Sequence, residues 1–429
     1  MHSTIVDILR WRALHQAGRS AYTFLVDGES QERSCTYEEL DQQARAIAAH
    51  LQSLTSTGDR VLLLYPPGLE YIAAFFGCLY AGAIAVPAYP PRLNRSMERL
   101  QAVAQDSQAS LALTTAQILS NVEALLAESP QLRSLRFLAT DAISKAPSEQ
   151  WRAPDLDGDS IAFLQYTSGS TSAPRGVLVS HGNLLQNERM IQQAFRQTEE
   201  SVIFSWLPLY HDMGLIGCML QPLYAGARCI LMSPMAFLQR PLRWLQAISR
   251  YRATTSGGPN FAYDLCARKV TAEQRASLDL SSWAVAFNGA EPVRYETLNR
   301  FAAAFEPCGF RRESFIPCYG LAEATLFVSG GSSSTAHRAC RINRSELEHN
   351  RVVPVDDSDL NALTIVGCGQ AALEQKVLIV DPGTLTPGSG DRVGEIWVSG
   401  PSVAQGYWDR PGHTAETFQA RLAGSGGGP

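Results

Sequence analysis

A five-residue sequence, Leu-Tyr-Ala-Gly-Ala, occurs twice in this chain, at residues 79–83 and at residues 223–227. Each copy ends an apolar stretch with helical spacing, and a short apolar run with the length of a buried strand lies on either side. The strand–helix–strand order is typical of a parallel sheet. The sequence therefore predicts an α/β protein with two similar, mostly parallel α/β subdomains, although a match of five residues can also arise by chance. The flanking strands are predicted at residues 61–64, 84–86, 202–207 and 229–232.

The last part of the chain follows a different pattern. From Leu363 onward, short strands at residues 377–380 and 395–398 are separated by Pro-Gly and glycine-rich turns. This pattern predicts a small β-barrel or a distorted sheet. The predicted division is a first α/β subdomain over residues 56–195, a second over residues 1–55 and 196–330, and a β-rich subdomain over residues 331–429.

Composition argues against several classes of function. The formal net charge is −5 and the sequence contains no basic run, which argues against nucleic acid and against a lipid headgroup as partner. The 9 cysteines are an odd number without a Cys-x-x-Cys pair. A complete disulfide framework and a zinc knuckle are therefore not expected.

The sequence predicts a cytoplasmic protein without a transmembrane segment. Residues 71–91 carry no charge. Their apolar residues recur at helical spacing up to Gly82, and a short strand and prolines follow, so they are predicted to form a buried crossover. Residues 1–12 have scattered charges and lack the apolar core of a signal peptide.

A dense cluster of small and polar residues lies between two apolar runs. Residues 165–176 read Gln-Tyr-Thr-Ser-Gly-Ser-Thr-Ser-Ala-Pro-Arg-Gly. Glycines allow backbone N–H groups to point inward, hydroxyls add donors, and Arg175 supplies a planar cation suited to phosphate oxygens. This pattern predicts a loop that binds a polyanion, and it is not a Walker loop because the Gly-Lys-Ser/Thr ending is absent. A flexible surface connection is the alternative for the loop taken alone.

Further motifs follow this loop in order. They are Trp-Leu-Pro-Leu-Tyr-His-Asp-Met-Gly at 206–214, Asn-Gly-Ala-Glu-Pro at 288–292, Tyr-Gly-Leu-Ala-Glu-Ala-Thr at 319–325, and Gly-Glu-Ile-Trp-Val-Ser-Gly at 394–400 running to Gln-Gly-Tyr-Trp at 405–408. The whole set resembles the adenylate-forming superfamily of acyl-CoA synthetases, adenylation domains and luciferases. It is most similar to the fatty acyl-AMP ligase branch and to the ligases that load polyketide and olefin synthases. The resemblance covers residues 37–418, so residues 1–429 are expected to form the large N-terminal domain of this superfamily.

The resemblance implies that ATP and Mg²⁺ activate a medium- or long-chain fatty acid to an acyl-adenylate, with release of pyrophosphate. A carboxylate is already nucleophilic at neutral pH, so positioning, Mg²⁺ and cationic groups must lower the barrier. Three predicted strands end near residues 165, 287 and 317 in polar loops. Because ligands bind beyond the carboxyl ends of strands in an open α/β sheet, these loops are expected to converge on one cleft.

The resemblance also implies roles for individual residues. The β- and γ-phosphates would contact Thr167, Ser168, Gly169, Ser170 and Thr171. Arg175 would add positive charge at a position where lysine is commoner. The adenine would contact Gly289, Ala290, Glu291, Tyr319 and Gly320. Tyr319 would stack on the base, with a half-buried core tyrosine as the alternative. Glu323 would bind Mg²⁺ as a hard oxygen ligand, with an ordinary surface glutamate as the alternative.

By the same resemblance, His211 would lie where the acyl carboxylate meets the phosphate. A helix cap formed with Asp212 is the alternative. The apolar stretch 213–223 and the turn 257–261 would line a fatty-acyl tunnel, with Met213, Gly214 and Phe261 as contact residues. Plain core packing is the alternative for each of these residues.

Residues 332–359 form a polar insertion of mixed charge. Within it, Ser345 and Glu348 have the spacing of a capping box, which predicts a short helix. In fatty acyl-AMP ligases an insertion at this place accompanies delivery of the acyl group to the phosphopantetheine arm of an acyl carrier protein instead of coenzyme A. A tolerated surface insertion is the alternative. Fatty acyl-CoA ligase and, more remotely, a non-catalytic nucleotide-binding module remain alternative functions.

The chain ends in Gly-Ser-Gly-Gly-Gly-Pro at residues 424–429. In the superfamily, a ribose-binding segment and a C-terminal lid with a catalytic lysine follow at this point. The sequence is therefore expected to lack the lid and to be weakly active by itself.

Overall fold

The computed structural model describes residues 2–90, 97–120, 132, 135–144, 146–166, 174–331 and 339–424. Its α-helices are α1 Ile5–His15, α2 Tyr37–Gln52, α3 Leu69–Ala81, α4 Glu98–Ser107, α5 His181–Phe195, α6 Asp212–Leu215, α7 Gln221–Ala225, α8 Pro234–Gln239, α9 Leu242–Tyr251, α10 Asn260–Lys269, α11 Ala272–Arg275, α12 Tyr295–Phe305, α13 Arg344–Leu347 and α14 Pro411–Phe418. A π-helical turn, Ile216–Leu220, joins α6 to α7. Short 3₁₀ turns are Thr140–Ala142, Ala146–Gln150, Glu306–Cys308, Arg312–Ser314 and Ala322–Ala324.

The strands, in chain order, belong to four sheets. They are β1 Ser20–Leu25, β2 Glu32–Thr36, β3 Arg60–Leu63, β4 Ile84–Pro87, β5 Leu111–Thr114, β6 Arg136–Ala139, β7 Ile161–Tyr166, β8 Gly176–Ser180, β9 Val202–Ser205, β10 Arg228–Met232, β11 Thr255–Gly258, β12 Val285–Asn288, β13 Phe315–Gly320, β14 Phe327–Gly330, β15 Ala339–Asn343, β16 Ala362–Val366, β17 Gln370–Ala371, β18 Lys376–Asp381, β19 Thr386–Pro387 and β20 Glu395–Ser399.

Several helices begin where the sequence provides a side-chain acceptor. Thr4, Thr36 and Ser180 each precede a helix and accept a hydrogen bond from the backbone N–H three residues later. In each case the side chain of that later residue accepts a hydrogen bond from the backbone N–H of the cap residue. These reciprocal bonds satisfy N–H groups that the helix itself cannot pair, and they fix where α1, α2 and α5 start.

The first sheet lies within residues 60–180 and has the strand order β6-β5-β3-β4-β7-β8. Neighbouring strands from β6 to β7 pair in parallel, whereas β8 is antiparallel to β7. β7 and β8 therefore form a hairpin at the edge of the sheet. The predicted phosphate loop belongs to the connection of this hairpin, and its residues 167–173 lie outside the described residues.

The second sheet has nine strands in the order β17-β14-β13-β12-β11-β9-β10-β1-β2. The strands from β13 to β1 pair in parallel, and antiparallel strands close both edges. The predicted fold class, α/β with two mostly parallel sheets, is confirmed. β12 and β13 are neighbours, so the polar motifs that follow them emerge side by side.

The two copies of Leu-Tyr-Ala-Gly-Ala have the same local geometry. The glycine after each helix has a left-handed backbone, with φ of 74° at Gly82 and 75° at Gly226. Each glycine leads into a strand that pairs in parallel with the strand before the helix. Glycine suits this position because it adopts positive φ without steric cost. In the described part of the chain, no helix combines the length and the apolarity needed to cross a membrane.

The third region is rich in strands, as predicted. β15 and β16 form a two-stranded sheet, β18 to β20 form a three-stranded sheet, and β17 extends the edge of the second sheet. Within the described residues these are open sheets and not a closed barrel, because a barrel needs more strands than either sheet contains. The exact residue boundaries of the three subdomains stay a prediction.

The short helix in the insertion begins earlier than the capping box predicted. α13 starts at Arg344, and the Asn343 side chain accepts a hydrogen bond from Glu346 N at 3.1 Å. Ser345 lies inside the helix, so the prediction that it forms the cap is wrong. An asparagine at the preceding position already supplies the acceptor that the first turn needs. Residues 332–338 of the insertion are outside the described ranges.

One continuous apolar core extends between the two large sheets. On the second sheet it contains the fully buried rings of Trp244, Tyr263 and Trp283, and Tyr263 stacks on Trp283 with ring centroids 6.2 Å apart. The indole N–H of Trp244 donates to Ser256 Oγ at 2.8 Å. Large aromatic rings with satisfied polar atoms give the sheet a rigid support for the loops at its carboxyl edge.

A carboxyl group lies inside this core. Glu188 on α5 is fully buried, and burial raises its pKa well above the usual value for glutamate. Its Oε1 has no hydrogen-bond partner among the described residues. Its Oε2 accepts a hydrogen bond from the side-chain amide nitrogen of Gln221. The folded protein therefore holds a proton that the unfolded chain releases above about pH 4.3, and the free energy of unfolding falls as pH rises.

Replacement of Glu188 by glutamine is expected to stabilise the protein more at about pH 8 than at about pH 5. The free energy of unfolding of the variant relative to the parent should increase by up to ~1.4 kcal/mol for each unit of rising pH, which is the value for one proton. Urea unfolding at a series of pH values measures it. Glu374→Gln, at a position where the side chain is 61% exposed, should leave the pH dependence unchanged. If Glu188→Gln has the same pH dependence as the parent protein, Glu188 is ionised in the folded state.

Candidate active site

A cavity of about 170 Å³ lies where the carboxyl ends of β12 and β13 meet the start of α6. Residues from three motifs that are distant in sequence line it: His211, Met213, Gly289, Ala290, Tyr319 and Gly320. The fold brings these residues together because β12 and β13 are adjacent strands whose ends share one edge of the sheet.

His211 lies in a tight turn at the start of α6. Its Nδ1 is 2.5 Å from Asp212 Oδ1, and the imidazole side chain is 48% exposed. The hydrogen bond that the imidazole donates to Asp212 raises the pKa of His211, and partial desolvation opposes this rise. His211 occupies the N-cap position of α6, but in the described structure its side chain makes no capping bond. The imidazole thus bonds to Asp212 instead of the helix backbone, and it lines the cavity.

Gly214 allows this turn to form. A Cβ at Gly214 would lie 2.2 Å from the carbonyl oxygen of Pro208, so no larger residue fits without moving the backbone. The Gly214 N–H donates to His211 O at 3.0 Å. Gly214 is buried and is not among the described residues that line the cavity, whereas Met213 lines it. Gly214 thus fixes the positions of His211 and Met213.

β12 ends in a strained backbone. Ala290 has φ of 68°, a left-handed conformation that is uncommon for residues other than glycine. The preceding Gly289 packs closely on β13, where a Cβ would lie 2.9 Å from Cys318 Sγ. This tight packing places the backbone of residues 289 and 290 in the cavity wall.

β13 ends at Tyr319 and Gly320, opposite β14. The pairing register shifts between these two residues, which marks a β-bulge. A Cβ at Gly320 would lie 2.1 Å from Leu326 O, so glycine is required for the close approach of the two strands. Tyr319 is half-buried, and burial raises the pKa of its hydroxyl. Its ring provides a flat apolar surface in the cavity wall.

Glu323 follows on the 3₁₀ turn Ala322–Ala324. Its Oε1 accepts a hydrogen bond from the Tyr407 hydroxyl at 2.7 Å. Thr325 has φ of 71° and ψ of −64°, and Leu326 N donates to Ala324 O at 2.9 Å. This is a γ-turn of the rare, strained type. Such strain persists where the surrounding structure enforces it, and it clusters at functional sites.

Arg175 lies just before β8, next to the connection that contains the predicted phosphate loop. Its guanidinium is 5.6 Å from the centre of the Tyr407 ring, a cation–π contact. Burial and the neighbouring Glu323 carboxylate raise the pKa of Tyr407 to about 12. Tyr407 therefore contacts both of the predicted charged residues. The predicted phosphate ligands Thr167, Ser168, Gly169, Ser170 and Thr171 lie outside the described residues.

Neither Glu291 nor Phe261 is among the described residues that line the cavity, and the same holds for Arg175 and Glu323. The Glu291 carboxylate accepts a hydrogen bond from Phe261 N at 2.6 Å, at the start of α10. The Phe261 ring is 42% exposed and packs against Trp206 and Phe237. In this structure Glu291 anchors the first turn of α10, and Phe261 borders an aromatic cluster.

Most of the apolar wall of the cavity comes from residues outside the predicted site. This wall comes from α5, β12 and the segment that enters β14, and its residues are Ile191, Phe195, Phe287, Leu326 and Phe327. Phe195 stacks on Phe287 with ring centroids 5.9 Å apart. The helical period of α5 indicates a buried face but not what that face contacts. Tyr407 belongs to the Gln-Gly-Tyr-Trp motif at 405–408, yet no sequence signal links it to Glu323.

The described residues contain no group of three or more His, Cys, Asp or Glu arranged to hold a metal ion. Mg²⁺ does not require such a cage, because it is commonly bound by one or two carboxylates together with water and substrate phosphates. Glu323 fits this requirement. Its carboxylate is half-buried, and the partner described for it is a neutral hydroxyl that leaves the negative charge in place.

Comparison with known proteins gives consistent matches. The AMP-binding enzyme family matches residues 9–408. JamA of Moorena producens strain JHB, a medium-chain-fatty-acid–[acyl-carrier-protein] ligase, is 49% identical over 100% of this chain and 73% of its own length. FadD32 of Mycolicibacterium smegmatis, a long-chain-fatty-acid–AMP ligase, is 38% identical over 97% of this chain and 67% of its own length. The structure of a fatty acyl-adenylate ligase from Legionella pneumophila, with acyl adenylate and pyrophosphate, has a TM-score of 0.94 at 46% identity, covering 99% of this chain and 73% of that chain.

Proposed function

This chain belongs to the AMP-binding enzyme family, and from that premise we propose that it is a fatty acyl-AMP ligase. It activates a medium- or long-chain fatty acid with ATP and passes the acyl group to an acyl carrier protein. A carboxylate oxygen of the fatty acid attacks the α-phosphorus of ATP. The bond from that phosphorus to the bridging oxygen breaks, and pyrophosphate leaves as the acyl-adenylate forms.

The observation that carries this proposal is that aromatic rings and a histidine line the same cavity. Phe195, Phe287 and Phe327 provide an apolar surface against which an acyl chain can bury methylene groups, at about 0.8 kcal/mol for each. His211 adds a polar group to the lining. Its protonated imidazole would attract the fatty-acid carboxylate and offset the repulsion between two anions as they approach. A cavity lined by aromatic rings and by a histidine suits a fatty acid whose carboxylate must react with a phosphate.

The nucleotide is assigned to the other polar residues. Gly289, Ala290 and Tyr319 would bind the adenine, and Arg175 with residues 167–171 would bind the phosphates. Mg²⁺ held by Glu323 would neutralise charge on the phosphates as pyrophosphate departs. Because Arg175 keeps its positive charge at any physiological pH, it would add to the same stabilisation.

Delivery to a carrier protein separates this proposal from a fatty acyl-CoA ligase. Two backbone hydrogen bonds join the described part of the insertion to the rest of the third region. Val352 N donates to Asp391 O at 2.7 Å, and Val393 N donates to Asn350 O at 3.0 Å. We infer that this folded insertion favours the carrier-bound thiol over coenzyme A. The thiol sulfur bonds to the acyl carbonyl carbon, and AMP leaves. The need for ATP and a carrier protein places the reaction in the cytoplasm.

The experiment that tests the function supplies ATP, Mg²⁺ and fatty acids of increasing chain length, with either coenzyme A or an acyl carrier protein. Mass spectrometry identifies the products. Acyl-AMP and acylated carrier protein are expected, with little acyl-CoA. Efficient formation of acyl-CoA would favour the acyl-CoA ligase, and no adenylate with any fatty acid would favour a nucleotide-binding module.

Replacement of Tyr319 by alanine is expected to weaken ATP binding by ~1–3 kcal/mol, because the base loses its stacking surface. Isothermal titration calorimetry measures this change. Tyr224→Ala removes another half-buried tyrosine, on α7, which is not among the described residues that line the cavity. That variant should bind ATP as the parent protein does. Unchanged ATP affinity in Tyr319→Ala would show that the adenine lies elsewhere.

A further inference from the structure

Residues 402–408, here called the strap, run between the two elements that carry the predicted charged groups. On one side the strap pairs with β8, since Leu178 N donates to Gly406 O at 2.9 Å and Trp408 N donates to Gly176 O at 2.8 Å. A β-bridge joins Val177 to Tyr407 in the same register. The strap therefore adds a strand-like segment to the edge beside the phosphate-loop hairpin.

On its other side the strap holds the turn that contains Glu323. Ala404 N donates to Glu323 O at 2.8 Å. The hydroxyl of Thr325, the residue with the strained γ-turn backbone, donates to Ser402 O at 2.6 Å. These two bonds fix the backbone on either side of Glu323. The position of the carboxylate thus depends on a segment about 80 residues later in the chain.

The Tyr407 side chain is fixed from several directions. Its ring is 6% exposed and packs edge to face on Phe418, with centroids 5.2 Å apart. Its backbone N–H donates to Thr414 Oγ1 at 3.0 Å. The hydroxyl donates to Glu323 Oε1, and among the described residues no hydrogen bond reaches the second oxygen, Oε2. The Arg175 guanidinium lies 5.6 Å from the ring centre and also bonds to the hydroxyl, and the ion pairs of the described residues do not include one between Arg175 and Glu323.

We propose that Tyr407 is a positioning residue that orients Glu323 for Mg²⁺ and keeps Arg175 and Glu323 from pairing with each other. The proposal rests on the metal role of Glu323 in the proposed function. A neutral hydroxyl fixes the carboxylate without neutralising it, so its full charge remains available to a cation. A lysine or arginine at this place would neutralise the carboxylate. The ring and the hydroxyl that contact the Arg175 guanidinium are both neutral, which leaves that cation available for phosphate.

The test measures equilibrium binding of ATP by calorimetry at a series of Mg²⁺ concentrations. Tyr407→Phe keeps the ring beside Arg175 but removes the hydroxyl and its bonds to Glu323 and Arg175. The Mg²⁺ concentration that gives half of the maximal gain in ATP affinity is expected to rise about tenfold. ATP binding without Mg²⁺ should change much less, because the ring remains beside Arg175. Tyr407→Ala removes ring and donor together, and it should also weaken ATP binding without Mg²⁺, because Arg175 can then pair with Glu323.

The chain contains a matched control. The Tyr251 hydroxyl donates to Glu32 Oε1 at 2.5 Å, and the Arg250 guanidinium lies 5.2 Å from the Tyr251 ring centre. These three residues lie on β2 and α9, and five strands of the second sheet separate β2 from β13, the strand that leads to Glu323. Tyr251→Phe removes the same kind of bond and should leave the Mg²⁺ dependence at its parent value.

Two outcomes would overturn the proposal, and Glu323→Gln tells them apart. If Glu323→Gln loses the Mg²⁺ dependence while Tyr407→Phe keeps it, the metal role of Glu323 stands and the role of Tyr407 is wrong. If Glu323→Gln itself keeps the normal Mg²⁺ dependence, the metal role fails and the role of Tyr407 fails with it. Circular dichroism of each variant shows that the comparison concerns folded protein.

Discussion

Replacement of Glu323 by glutamine is expected to reduce the rate of pyrophosphate release by ~10²–10³-fold while the protein stays folded. Glutamine keeps the size of the side chain and can still accept the Tyr407 hydrogen bond at Oε1. It has no negative charge, however, and is therefore a poor ligand for Mg²⁺. Because the side chain is half-buried and not part of the apolar core, its packing should change little. Single-turnover measurement with ATP and a fatty acid gives the rate, and urea unfolding gives the stability.

Glu32 provides the comparison for this variant. Its carboxylate also accepts a tyrosine hydroxyl, from Tyr251, but Glu32 lies on β2, at the end of the second sheet that is far from β13 and the turn of Glu323. Glu32→Gln should release pyrophosphate at the parent rate. Parent kinetics in Glu323→Gln would show that Glu323 does not bind the metal. An equal loss of rate in both variants would indicate a general effect of carboxylate removal on the fold.

The fold was predictable from local sequence signals because its strands are short and apolar and are separated from other elements by glycines and prolines. Gly82 and Gly226 end helices, as the repeated sequence indicated, and both glycines have left-handed conformations. The order of strand, helix and strand then required parallel pairing, because the crossover connection allows little else. The convergence of Gly289 and Tyr319 on one cavity was expected, because their motifs follow neighbouring strands of one sheet. The loop after residue 165, which was expected to join them, lies outside the described residues.

Other features depend on contacts between distant parts of the chain, which sequence patterns do not encode. Tyr407 and Glu323 are 84 positions apart, and nothing in either motif specifies their hydrogen bond. Asn343 and not Ser345 caps α13, because the sequence offers two side-chain acceptors close to the start of this helix and its pattern does not specify which one is used. Glu291 stands in the adenine motif, but its carboxylate bonds to Phe261 N at the start of α10. Strand periodicity cannot distinguish such a structural bond from a ligand contact.

The second large effect is expected at His211. Replacement by alanine should lower the rate of adenylate formation by ~10²-fold, because the fatty-acid carboxylate loses a donor at the point where two anions meet. The turn itself should persist, since it is held by backbone bonds such as His211 N to Pro208 O at 3.1 Å. His413→Ala removes another exposed histidine that pairs with a carboxylate, Glu416, and should leave the rate unchanged. A parent rate in His211→Ala would exclude a role for this side chain in the reaction.

The pH dependence of the rate tests whether the protonated form of His211 is the active one. The hydrogen bond that His211 donates to Asp212 raises the pKa of His211, so the imidazolium persists to higher pH than for an unpaired histidine. The rate should therefore fall as pH rises through this elevated pKa. Asp212→Asn removes the negative partner, which lowers the pKa of His211, and the fall should move to lower pH. His211→Ala should abolish that part of the profile. If Asp212→Asn has the parent profile, the group that titrates is not His211, and the neutral imidazole must serve as the donor to the fatty-acid carboxylate.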